Sequence, residues 1–275
     1  MRMLLKASML VSVPCAVVLA LLMPKTISSA APPAYKAPRM FDGKPNLNGI
    51  WQANNTANWD LLDHAAKQGP VMSLGAAFSI PGGLGIVEGN EIPYKPEAMA
   101  KKKENQENWF KLDPEIKCYL PGVPRATYMP YPFQIVQTPD AILVAYEFAS
   151  ASRTIRMNTD QKSPVASWMG WSRGRWEGDT LVVDVTGFND KTWFDRAGNH
   201  HSKALHVVER YTATSANTMQ YEATIEDPNV FTRPWKISMP LYRRVEPNAQ
   251  LLEYKCVEFV EDLMYGHLRK KTSEQ

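Results

Sequence analysis

RWEGDTLVVDVTG, residues 175–187, decides the fold class. Leu181, Val183 and Val185 fall on one face, and Thr180, Asp184 and Thr186 on the other. Glu177-Gly178-Asp179 is a short turn before them. Period-two alternation bounded by turn residues marks an antiparallel sheet with one dry and one wetter face. The same pattern runs outward from this stretch. Residues 140–148, DAILVAYEF, place Ile142, Val144, Tyr146 and Phe148 together. Residues 218–226 alternate Met219, Tyr221, Ala223 and Ile225 with polar side chains, and 235–241 alternate Trp235, Ile237, Met239 and Leu241 with Lys236 and Ser238. Further strands are expected over 203–211 and over 251–260. Short turns such as Ser215-Ala216-Asn217 make consecutive strands neighbours. The expectation is a mainly β chain, an antiparallel meander closing as a lipocalin-like (calycin-type) barrel in preference to a sandwich.

Composition agrees with that class. Twenty-one prolines and 10% aromatic residues suit a turn-rich β protein and not a helical bundle. Arg2 and Lys6 precede an apolar run from Met9 to Leu22, and small residues follow at Ser28, Ser29, Ala30 and Ala31. That order reads as a signal peptide over 1–30, with an uncleaved anchor as the alternative. The run, interrupted by Pro14, is short for a membrane span, so none is expected after cleavage. Losing Arg2, Lys6 and Lys25 would reduce the 31 basic residues to match the 28 acidic ones. A neutral mature chain has no electrostatic footprint for nucleic acid. A periplasmic or secreted location follows, and there Cys118 and Cys256 are expected to form one disulfide.

The remainder divides into an extended and helical segment over 31–130, packed on a barrel over 131–265 as one domain. A short helix is expected over 59–68, and another from Pro96 to about Phe110, because proline suits a first helical turn. Residues 70–94 read as a loop or flap. Their PGGLG (81–85) neither follows a strand nor opens a helix, so no phosphate or cofactor site is read there, and no cofactor is assigned.

The candidate chemistry lies in TWFDRAGNHHS, 192–202, within a loop longer than a hairpin requires. Trp193 and Phe194 call for burial and would anchor the loop at a barrel mouth, a usual place for a ligand. In one reading His201, or His200, is a general acid or base oriented by Asp195 or Asp190, and Arg196 binds a carbonyl or anionic oxygen. In a second, His200, His201, His206 and Glu209 hold a metal. Adjacent strand residues point to opposite faces, and no metal is assigned. In a third, the stretch is a polar turn. Glu209 shares a face with Leu205, Val207 and Tyr211, which requires a raised pKa or a partner, such as an arginine on the next strand. Arg125, in the rigid loop after Cys118, is a surface residue or an anion ligand. Trp168, Trp171 and Trp176 line an aromatic pocket or fill the core. No nucleophile elbow of the α/β-hydrolase kind occurs.

Several stretches together resemble a family of exported bacterial proteins carrying a GRWEGDTLVVDxTGFND-type motif. They are NLNGIW (46–51), CYLPGVPR (118–125), PFQIVQTPD (132–140), GRWEGDTLVVDVTGFND (174–190), TWFDRAGNHHS, VVERY (207–211), TIEDPNVFTRPW (224–235) and LLEYKC (251–256). The resemblance spans most of the mature chain and implies an exported single domain centred on 174–211, without assigning an activity to any residue. It leads one to expect a small residue or proline before a single histidine, where this chain has Asn199-His200, and so favours His201. Two functions are expected to compete. One is an exported β-barrel lyase, isomerase or hydrolase acting on a small apolar or aromatic molecule through His201, Asp195 and Arg196, with Asp184, Asp190 and Glu209 as further acids. The other is a periplasmic lipocalin-like carrier of such a molecule, with Trp171, Trp193, Glu209, Asp190 and Arg125 at its pocket. An interaction module on an outer-membrane assembly is a third.

Overall fold

A computed structural model describes residues 35–269, so the expected signal peptide at 1–30 lies outside the described residues. Nine strands close into one barrel in chain order. They are β1 (Gly49–Ala53), β2 (Phe133–Gln137), β3 (Ala141–Tyr146), β4 (Ser152–Met157), β5 (Trp171–Glu177), β6 (Thr180–Thr186), β7 (His206–Ala213), β8 (Thr218–Glu226) and β9 (Trp235–Arg243). Alternation works as the sequence implied. Met219, Tyr221, Ala223 and Ile225 of β8 are fully buried and interleave with half-exposed polar residues. Each large apolar side chain so buried contributes roughly 1.5–3 kcal/mol.

The barrel is mixed, a correction to the purely antiparallel meander. Every neighbouring pair is antiparallel except β4 with β5, which run parallel. Parallel neighbours need a crossover of roughly a dozen residues or more, and residues 158–170 supply it. The barrel also differs from the expected span of 131–265. β1 comes from the N-terminal segment and pairs with both β2 and β9, and the last strand ends at Arg243. Residues 251–257 have no regular secondary structure and pair with no strand, and 260–265 form a short helix. With β1 already between β2 and β9, the closed sheet has no edge left for them.

Among the described residues four α-helices lie outside the strands of the barrel: α1 (Pro96–Glu107), α2 (Trp109–Leu112), α3 (Arg125–Tyr128) and α4 (Val260–Tyr265). α1 and α2 cover the helix expected from Pro96. The one expected over 59–68 does not form. His64 and Lys67 instead pair with Gly83 and Ile80, and the Leu61 N–H is drawn to Asp195. Cys118 and Cys256 are bonded, closing a separation of 138 residues. Among the described residues no helix is long and apolar enough to cross a membrane.

Side chains fill the barrel interior. Arg153 of β4 reaches across to Glu209 of β7 through two bonds, Nη1 to Oε2 at 2.6 Å and Nη2 to Oε1 at 2.9 Å. The hydroxyls of Tyr211 and Tyr221 donate to the same carboxylate at 2.9 and 2.8 Å. Glu209 therefore has the arginine partner its position required. That partner lies across the barrel and not on the next strand.

Candidate functional site

The loop from β6 to β7 is held by its backbone before any side-chain chemistry. Phe194 N–H donates to Asn199 O at 2.7 Å, and Arg196 N–H to Asn58 O at 2.9 Å. Gly198 is left-handed, with φ +84°, and passes so close to α1 that a Cβ would lie 2.5 Å from the Gln106 nitrogen. Glycine alone satisfies both conditions. Asp195 is fully buried inside this turn. It accepts from Leu61 N–H at 2.9 Å, Asn199 N–H at 3.1 Å and the Asn199 amide at 2.6 Å. Burial, reinforced by the charge of Asp60, lifts its carboxyl to about 7 against the pull of those donors.

His201 does not meet Asp195. Its Nδ1 lies 2.8 Å from Ser202 O and its Nε2 2.6 Å from Thr192 Oγ1. A carbonyl only accepts, so Nδ1 carries the hydrogen and Nε2 accepts from the Thr192 hydroxyl. Burial lowers the ring's pKa and keeps it neutral. His200 is half-buried, and burial lowers it to about 4; its Nδ1 is buried without a partner. Both histidines line an open groove of about 390 Å³ with Asp190, Trp193, and Glu97 and Lys101 of α1. The structure thus brings His200, His201, Asp190 and Trp193 together.

Arg196 points to the opposite side of the loop. Its Nε and Nη2 bind Glu115 at 2.7 and 3.0 Å, and Nη1 reaches Glu261 Oε1 at 3.2 Å. The guanidinium stacks 4.4 Å from the Trp59 ring and 5.0 Å from that of Trp109. Glu115 also accepts from Arg125 at 3.3 Å, and Arg125 grips Asp113 through two bonds of 2.8 Å. Arg125 is fully buried, so it is neither on the surface nor free for an anion. Burial works to raise Glu115, but the charges of Arg196 and Arg125 hold it below its ordinary value.

Above Arg196 lies a pocket of about 160 Å³. Phe110, Tyr131, Phe148, Tyr254 and Phe259 wall it, and residues 254–262, tethered by the disulfide, roof it. No residue of β1–β9 lines it.

The other sequence candidates lie elsewhere. Trp171 is outside the barrel, with the Arg156 guanidinium 3.6 Å above its ring, and shares a separate cleft with Trp168, while Trp176 packs against the core. Glu209 is in the interior. His206 faces outward between Asp184 at 2.9 Å and Glu226 at 3.3 Å, so the metal set considered from sequence is scattered. Among the described residues no three His, Cys, Asp or Glu side chains are placed to hold a metal. Sequence reasoning missed Thr192, Glu115, Glu261, Tyr254 and Phe259. The cysteine pair carried the usable signal, since Glu115 stands just before Cys118 and Glu261 just after Cys256. No protein-family model matches the chain, and no curated protein sequence matches it.

Proposed function

We propose that this is an exported binding protein that holds a single-ring aromatic molecule in the pocket above Arg196. The observation that carries this is the pocket's size together with its walls. An apolar cavity of about 150 Å³ accommodates one benzene, and here a partly open pocket of about 160 Å³ is lined by five aromatic side chains beside the Arg196 guanidinium. The disulfide supports export. Of the two functions expected from sequence, the carrier is favoured over the acid–base enzyme built on His201, because the residues of that triad are occupied separately. Asp195 is spent on amide donors, His201 on Thr192 and Ser202, and Arg196 on Glu115. The carrier resembles a lipocalin in its closed barrel but uses a pocket built by loops outside the barrel wall. Titration with p-cresol, read by the fluorescence of Trp59 and Trp109 beneath Arg196, should saturate. Absence of saturable binding by any single-ring probe overturns the proposal.

The placement of His200 on the wall of an open groove beside Asp190 favours a second reading, proton transfer in that groove by neutral His200. Turnover lost in His200→Ala and kept in His201→Ala would select it.

A further inference from the structure

Resting on the binding reading above, we infer that the aromatic pocket selects ligands whose polar end is a hydrogen-bond donor, a phenolic hydroxyl or a protonated amine, and rejects aromatic carboxylates. The observation is an uncommitted acceptor. Glu261 lines the pocket from α4, and only its Oε1 is used, by Arg196. Its Oε2 is buried without a partner. Of the other lining carboxylates, Glu115 holds Arg196 with both oxygens, while Asp262 lies against Arg269 and its Oδ1, like Glu261 Oε2, makes no hydrogen bond. A buried carboxylate oxygen left bare costs the full desolvation of that atom, so a ligand donor that draws Glu261 Oε2 toward the pocket relieves that cost.

Charge points the same way. The linked cluster under the pocket holds two cations, Arg125 and Arg196, and three acids, Asp113, Glu115 and Glu261. Lys255 at the rim already pairs with Glu253 at 2.8 Å. A ligand carboxylate would add a further negative charge to a cluster with an excess acid. A hydroxyl or ammonium group would satisfy Glu261 Oε2 instead. Burial already holds the Glu261 carboxyl above its ordinary value, consistent with an acid short of partners. The aromatic walls fix a ring, and Glu261 fixes which end of the ring is polar.

Four probes of nearly equal size separate the possibilities: p-cresol, 4-methylbenzylamine, 4-methylanisole and 4-methylbenzoate, titrated calorimetrically against the intact, oxidised protein. The donor-bearing pair should bind about tenfold or more tighter than 4-methylanisole, the range of a hydrogen bond to a charged acceptor. 4-Methylbenzoate should bind weakest. Glu261→Ala should erase the preference, so that p-cresol binds that variant no tighter than 4-methylanisole does. Glu261→Gln, which keeps an acceptor oxygen without charge, should keep p-cresol and weaken the amine, and so tells which donor the site is built for. Binding of 4-methylanisole or 4-methylbenzoate as tight as p-cresol overturns the donor preference and leaves the binding reading intact. Failure of all four probes removes the binding reading itself.

Discussion

Glu209→Ala is the most demanding test of how the barrel interior is held. Both Glu209 and Arg153 have side chains exposed by 2% or less. Removing the carboxylate strips Arg153 of both its ion-pair bonds and leaves the Tyr221 hydroxyl without its acceptor. An uncompensated buried charge costs about 3–5 kcal/mol, and an orphaned hydroxyl adds about 1 kcal/mol or more. The single variant should therefore lose roughly 4–6 kcal/mol, much of the 5–15 kcal/mol available to an ordinary domain. The double variant Arg153→Met with Glu209→Leu replaces both charges by apolar groups of similar length and should return to within about 2 kcal/mol of wild type. Urea unfolding of the oxidised protein, followed by tryptophan fluorescence, measures both. A single variant that loses less than about 1 kcal/mol, or a double variant no more stable than the single, refutes the idea that charge burial and not mere packing sets this energy.

Asp195 titrates at about 7 when folded and near 3.9 when unfolded. Its protonated form therefore favours the fold below pH 4, and that contribution is lost as pH rises through 7; between pH 5 and 8 wild type should lose up to about 3 kcal/mol more than Asp195→Asn. Parallel stability profiles for the two proteins would contradict this. Gly198→Ala drives a Cβ into the backbone of α1 and should cost about 2 kcal/mol or more. Gly178→Ala, also left-handed but with open space around it, should cost only about 1 kcal/mol, so equal melting temperatures would refute the distinction. Reducing Cys118–Cys256 releases a loop of 138 residues and should cost up to about 5 kcal/mol in chain entropy. It should also abolish p-cresol binding, since the roof of the pocket is then untethered; binding that survives reduction would show the roof to be self-supporting.

Strands β6, β8 and β9 were legible because their alternation is uninterrupted. β4 was not, since its inward positions read Arg153, Ile155 and Met157, and an arginine at a core position breaks the pattern that marks a strand. β1 is five residues long, shorter than alternation can establish, and sits in a segment rich in proline and glycine. The stretch 251–260 alternates well enough to be a strand, but a closed sheet offers it no partner. The site divides along the same line. TWFDRAGNHHS marks the right loop, yet nearness in sequence suggested a carboxylate and an imidazole in contact. The backbone turns Asp195 inward to three N–H groups instead. Glu115, Arg196 and Glu261 meet from three distant segments, and of all sequence features only the two cysteines tie such segments together.

Barrel closure by β1 has a kinetic consequence. Trp51 must find Arg243, about 190 residues downstream, while β2 to β9 are largely joined to their sequence neighbours. Contacts of such separation carry the greatest loop-closure cost and form slowly. Until they form, β2 and β9 present bare edges able to pair with other chains. The first and last of the nine described strands thus meet at one seam, and that seam sets how long the newly made chain remains open to aggregation.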